Sequence, residues 1–139
     1  MASFVRDVMT TDPRTLDGDA SATEAARLMQ QYDIGDVIVL DGATIRGIVT
    51  DRDIVVRAVA QGKEPALVRL ASICSDDVTS VTPDDSIDTA VALMRERALR
   101  RIPVVEEGRP VGIVTMGDLA LVRDPESTLA EVSAAPPNR

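Results

Sequence analysis

At 139 residues the chain is one domain's worth of material, and with 45% apolar residues it is long and apolar enough to bury a core, which excludes disorder over most of its length. The net charge of −8, from 23 acidic against 15 basic residues, argues against non-specific binding to nucleic acid or to an anionic membrane. No apolar run approaches the roughly 20 residues of a membrane span, the N-terminus lacks the apolar stretch of a signal peptide, and the single cysteine, Cys74, excludes an internal disulfide, so the chain reads as soluble and cytoplasmic.

In chain order, a short extended piece at Arg14 to Leu16 leads through the turn "DGDAS" into a helix whose apolar residues Ala22, Ala25, Ala26 and Met29 recur at helical spacing. Ser21 followed three residues later by Glu24 has the spacing of a capping box and marks the start. An apolar run at Val37 to Leu40, the turn "DGAT" and a second run ending in Gly47-Ile48-Val49-Thr50 predict two strands. A helix follows from about Asp51 to Ala60, and Gly62 stands where a helix C-cap is expected.

After the connector "QGKEPALVRLAS" the grammar repeats: an extended piece at Thr79 to Val81, the turn "TPDDS", a helix carrying Ile87, Ala90, Val91 and Met94, a run at Ile102 to Val105, the turn "EEGR", and Gly112-Ile113-Val114-Thr115. A last helix is predicted over Met116 to Val122, and the tail suggests a short helix around Leu129 and Val132 before Pro136 and Pro137. Sliding the chain by 65 residues superposes the two halves without a gap from Val8/Ile73 to Ala58/Arg123. Identities fall at Asp12/Asp77, Asp19/Asp84, Ser21/Ser86, Ala25/Ala90, Leu28/Leu93, Met29/Met94, Val39/Val104, through both Gly-Ile-Val-Thr runs, and at Asp53/Asp118. A single βαββα unit exposes an apolar sheet face and is marginal alone, so two units are needed to bury it.

The junction Thr50-Asp51-Arg52-Asp53, echoed as Thr115-Met116-Gly117-Asp118, admits two readings. A Thr at an N-cap with an acid three residues on is close to a capping box and is stabilising without any ligand. The same groups suit a ligand: helix N–H groups favour a phosphate, an ionised Asp accepts from two adjacent hydroxyls, and the Thr hydroxyl donates or accepts.

The tandem of βαββα units, each with a strand ending Gly-hydrophobic-hydrophobic-Thr-x-x-Asp, and "RRIPVV" opening the middle strand of the second, resembles a pair of CBS domains, the Bateman module, over about residues 4 to 124. The resemblance implies an α+β fold of two repeats packed about a pseudo-twofold axis through their sheets. Residues 1–62 would form the first repeat with its N-terminal segment, 63–70 a connector, 71–124 the second repeat, and 125–139 a partly disordered tail. It further implies a homodimer and clefts between the repeats that take adenosine ligands such as AMP, ADP, ATP or S-adenosylmethionine.

Carried onto this sequence, the family's ligand contacts fall on Thr50 and Asp53 and on Thr115 and Asp118, with Asp on the ribose. Phosphates would meet the basic pair before the opposite unit's middle strand, here Arg100 and Arg101, with Arg52 assisting; the first repeat has Gly35 and Asp36 there. One competent anionic-nucleotide cleft is therefore expected, at Thr50 and Asp53, and one weak, empty or differently selective. Pro103, which the family uses at a strand edge beside the base, is replaced by Ile38 in the first repeat. The competing reading of the arginines is a solvated basic helix end.

There is no histidine, Cys74 falls opposite Met9 at an apolar place and reads as a packed thiol, and the acidic pairs Asp76-Asp77 and Asp84-Asp85 sit where turns and caps need them. No catalytic constellation, catalytic cofactor or metal site is assembled. The expected function is a stand-alone, non-enzymatic regulatory module that senses an adenine nucleotide, and so cellular energy, and modulates a partner protein in trans. The alternative is a ligand-free dimerisation and interaction scaffold in which Thr-x-x-Asp is a helix cap alone.

Overall fold

The computed structural model describes residues 3–76 and 78–123. The tail helix predicted around Leu129 and Val132 and the turn residue Asp77 lie outside the described residues. Two compact units divide the chain, one of residues 13–78 and one of residues 1–12 with 79–139.

The unit of residues 13–78 begins with β2 (Thr15–Asp17), preceded in the chain by β1 (Thr10–Thr11), which belongs to the other unit. Helix α1 (Ala22–Tyr32) starts where the Ser21 hydroxyl accepts from the Glu24 N–H at 3.1 Å and stops at Asp33, whose φ of 57° is left-handed. Strands β3 (Asp36–Asp41) and β4 (Thr44–Thr50) pair as an antiparallel hairpin, and β2 adds in parallel to β3, giving the order β2-β3-β4. Alternation is lost at the centre of β3, where Val37, Ile38 and Val39 are all fully buried, as a strand covered on both faces requires. Ala22, Ala25 and Met29 of α1 close one face over Val37, Val39 and Val49.

The second unit repeats this at a constant offset of 65 residues. Helix α3 (Ile87–Arg97), β5 (Arg101–Glu106) and β6 (Arg109–Thr115) begin and end where α1, β3 and β4 do, 65 positions on. The antiparallel register repeats, including the irregularity between Val39 and Leu40 and between Val104 and Val105. Its sheet has the order β1-β6-β5, and Ile87, Ala90 and Met94 pack with Val104 and Val114.

The segments that precede the repeats are exchanged between them. Val5 is fully buried in the core of the second repeat, with its N–H on the Asp85 carbonyl at 2.9 Å, while the Arg6 N–H donates to Pro83 O at 3.0 Å and the Ile87 N–H to Ser3 O at 3.1 Å. An ion pair joins Arg6 to Asp84. Sixty-five residues later, Leu70 is fully buried in the first repeat's core, with Leu70 N–H on Ala20 O, Ala71 N–H on Gly18 O and Ala22 N–H on Val68 O. Residues 3–11 therefore complete the second repeat and residues 68–76 the first. The stretch from Pro65 forms two 3₁₀ turns (Pro65–Leu67 and Leu70–Ser72) within the unit of residues 13–78.

Two elements depart from the sequence expectation. The piece at Thr79 to Val81 forms no strand, only a parallel bridge between Val81 and Val104. In the first repeat the Ile38 N–H donates to the Arg14 carbonyl at 3.0 Å and extends the ladder; Pro103 stands at that position in the second repeat and has no N–H to give. The helix predicted over Asp51 to Ala60 is α-helical only as α2 (Asp51–Ile54), then widens into a π-helical turn (Val55–Val59) in which the Ala60 N–H reaches the Val55 carbonyl at 2.8 Å. Ile54, Val55 and Val56, at the start of this turn, are β-branched in succession, residues of lowered helix propensity. The second repeat has Leu119, Ala120 and Leu121 there and stays α-helical through α4 (Met116–Arg123). The C-terminus of the first is a Schellman closure: Gly62 has φ 73°, its N–H donates to Val59 O, and the Lys63 N–H donates to Ala58 O at 3.1 Å.

Candidate functional site

Each strand that ends in Gly-Ile-Val-Thr runs directly into a helix, and the junction is a complete capping box in both repeats. The Asp53 N–H donates to Thr50 Oγ1 at 3.1 Å and the Thr50 N–H to Asp53 Oδ2 at 2.9 Å. Asp118 and Thr115 repeat these distances, 3.1 and 2.9 Å. The four residues are half-buried. Oδ2 of each Asp is thus committed to the cap, and Oδ1 lies outside the box.

The glycine of each motif has a packing reason. A Cβ on Gly47 would run into the Ser75 carbonyl oxygen, and one on Gly112 would lie 2.8 Å from Thr10 O and 2.9 Å from Met9 Sδ. The exchanged segment passes over the glycine: Ser75 N–H donates to Ile48 O at 3.0 Å, and Thr10 pairs with Ile113. Each Gly of Gly-hydrophobic-hydrophobic-Thr is needed for close approach of backbone to backbone.

The residue before each middle strand is tied to the junction of its own repeat. The Asp51 N–H donates to Gly35 O at 3.1 Å, and the Met116 N–H to Arg100 O at 2.8 Å. In the strand register Asp36 stands opposite Thr50 and Arg101 opposite Thr115. Within the second repeat, then, Arg100 and Arg101 flank Thr115 and Asp118, and within the first the flanking residues are Gly35 and Asp36. Arg52 is exposed on the first turn of α2, its N–H on Asp51 Oδ1 at 2.8 Å. Pro103 is buried in β5, and its carbonyl accepts from the Val81 N–H at 3.1 Å.

Sequence reasoning missed Arg57. It lies four residues after Asp53, with Nε 3.8 Å from Asp53 Oδ1, and its Nη1 donates to the Ile73 carbonyl at 3.2 Å. The i,i+4 spacing of acid and base was visible in the sequence, as was its loss in the second repeat, where Val122 occupies the position.

Cys74 is buried at 5% exposure, and burial pushes its thiol above the ordinary value of 9.0, as befits a packed side chain. Among the described residues, no group of three or more His, Cys, Asp or Glu could hold a metal ion, and no helix is long and apolar enough to cross a membrane.

The fold defines a tandem of two α+β repeats with a shared Thr-x-x-Asp junction, and the CBS domain family model matches it twice, at residues 5–59 and 70–123. The chain belongs to the CBS domain family and carries two such domains. It is 37% identical over 119 residues to the CBS domain-containing protein YhcV of Bacillus subtilis, covering 86% of this chain and 84% of that one. The CBS domain pair of protein MJ0100, solved in complex with 5′-methylthioadenosine and S-adenosyl-L-methionine, superposes with a TM-score of 0.79 at 26% identity, covering 91% of this chain and 100% of that one. A hexameric CBS-CP12 protein from bloom-forming cyanobacteria superposes with a TM-score of 0.78 at 26% identity over 95% and 76% of the two chains.

Proposed function

We propose that this CBS pair is a non-enzymatic regulatory module of the cytoplasm that binds an adenosine ligand, AMP, ADP, ATP or S-adenosylmethionine, and acts in trans on a partner protein. The observation that carries the reading is the duplicated capping box in which each Asp leaves Oδ1 outside the cap. Asp53 and Asp118 would accept from the ribose hydroxyls there, and Thr50 and Thr115 would hold the carboxylates in place. Arg100, Arg101 and Arg52 would meet the phosphates, and Pro103 would form part of the wall against the base. The MJ0100 pair, which holds two adenosine ligands, supports the ligand class. A homodimer is part of the proposal: Val55 and Val59, four residues apart, are 57% and 55% exposed, an apolar face suited to a second copy.

Calorimetric titration with AMP, ADP, ATP, S-adenosylmethionine and NAD(H) tests the reading, with light scattering on the same samples for the oligomer. Binding by none of them sinks it. Asp53→Asn keeps the cap acceptor while removing the charge, and should weaken binding about tenfold or more, the scale of charge-assisted hydrogen bonds. Removing Arg100 and Arg101 should weaken ATP far more than S-adenosylmethionine, which has no phosphate. Combining that change with Asp53→Asn or with Asp118→Asn shows by non-additivity which carboxylate works with the arginines.

The scaffold reading has an observation of its own, since both capping boxes are complete without any ligand. It predicts that Asp53→Asn changes stability slightly and no binding.

A further inference from the structure

We infer that Arg57 couples the Asp53 carboxylate to the segment that leads out of the first repeat, and that the second repeat has no such link. The inference rests on the proposed role of Asp53 as a ligand for vicinal hydroxyls. Arg57 touches both ends: its Nη1 donates to the Ile73 carbonyl at 3.2 Å, and its Nε stands 3.8 Å from Asp53 Oδ1. The first contact is a hydrogen bond and the second, too long for one, is an ion pair that leaves Oδ1 able to accept. Asp53 is well enclosed at 19% side-chain exposure, and Arg57 is half exposed at 51%. The carboxylate is further anchored by the Thr50 N–H on its Oδ2 at 2.9 Å, so a change at Oδ1 falls on the guanidinium.

Ile73 is 1% exposed and begins the three residues laid over β4, where the Ser75 N–H donates to Ile48 O at 3.0 Å and Ser75 Oγ accepts from the Ile48 N–H at 3.4 Å. These residues continue along the chain into the second repeat. Two hydroxyls on Oδ1 would compete with the Arg57 guanidinium for the same oxygen. A ligand at Asp53 thereby changes the hold of Arg57 on Ile73, and reciprocally the hold on Ile73 sets the affinity at Asp53. In the second repeat the corresponding residues are Asp118, Val122 and Val8, so the acid is present and the guanidinium is not. A ligand at Asp118 would leave its exchanged segment undisturbed by this route.

Amide hydrogen exchange at Ser75 tests the link first without any ligand. Arg57→Met keeps the apolar stem, and Asp53→Asn keeps the cap acceptor. Each should speed Ser75 exchange about two- to fivefold, the range of a partly exposed ion pair, and the double variant should be no faster than the singles. Wild-type exchange in Arg57→Met, or effects of the two changes that simply add, would overturn the inference. AMP is then added at saturation: Ser75 exchange should shift in the wild type and not in Arg57→Met. AMP that binds calorimetrically but leaves Ser75 unmoved in the wild type also overturns the coupling. Failure of every adenosine ligand to bind would instead remove the proposed function, while the ligand-free cycle would still decide whether Arg57 joins Asp53 to Ile73.

Discussion

The two repeats share the frame of one helix and one hairpin to the residue, with α1, β3 and β4 recurring 65 positions on as α3, β5 and β6, yet they differ where single side chains decide a backbone contact. Ile38 extends a ladder that Pro103 cannot, the helix after Thr50 widens into a π-helical turn where the one after Thr115 stays regular, and Arg57 bridges where Val122 does not. The capping boxes, by contrast, agree to the tenth of an ångström. Duplication has kept the junction and let its surroundings diverge, which is the pattern expected if two similar sites are to answer different ligands or none.

The largest difference should come from the glycines under the exchanged segments. A methyl at Gly47 meets the Ser75 carbonyl, which is backbone and cannot move without dragging the segment off β4, so Gly47→Ala should cost about 3 kcal/mol. At Gly112 the obstacles are Thr10 O at 2.8 Å and the flexible Met9 side chain, and Gly112→Ala should cost about 1–2 kcal/mol. Urea denaturation of the two variants checks the order, and equal costs would show that the segments are held alike.

A smaller contrast lies at the ends of the first helices. Both turn through left-handed residues, Asp33 with φ 57° and Ala98 with φ 54°. Asp tolerates that region far better than Ala, whose Cβ crowds the following carbonyl. Ala98→Gly should therefore stabilise by about 0.5–1 kcal/mol, and Asp33→Gly by less, as read from the denaturation midpoints. A gain from Asp33→Gly as large as from Ala98→Gly would mean that strain is not what separates them.

Much of this architecture was legible because the sequence states it twice. The helices at Ala22 and Ile87 and the hairpins ending in Thr50 and Thr115 follow from periodicity, and each reading confirmed the other at a fixed offset. The exchange of leading segments was not legible: Val5 and Leu70 pack into units that sequence adjacency assigns the other way, through contacts such as Arg6 with Pro83 and Asp84 that no local pattern announces. The missing strand at Thr79 was readable in principle from Pro103, since the residue that lacks a donor is printed in the partner strand. At the junction, the sequence could name Thr50 and Asp53 and their mutual spacing but not Arg57, because a basic residue one turn on is ordinarily a solvated charge. The arrival of the Ile73 carbonyl, sixteen residues away, is what gives that guanidinium a second partner.

The smallest contrast is between Cys74 and its counterpart Met9, one titratable and the other not. The thiol belongs to the exchanged segment itself and packs from it into the first repeat's core, and desolvation raises its proton affinity above the ordinary value of 9.0. Below that value the thiol is protonated in both folded and unfolded chains and contributes nothing to the pH dependence. Above it the unfolded chain releases the proton first, so the folded state binds more protons and stability falls as pH rises. The slope for one group cannot exceed about 1.4 kcal/mol per pH unit. Subtracting the stability profile of Cys74→Ala from that of the wild type between about pH 8.5 and 10.5 isolates this single group, since every other titration is common to both. A flat difference across that range would mean that the thiol ionises as readily in the fold as outside it.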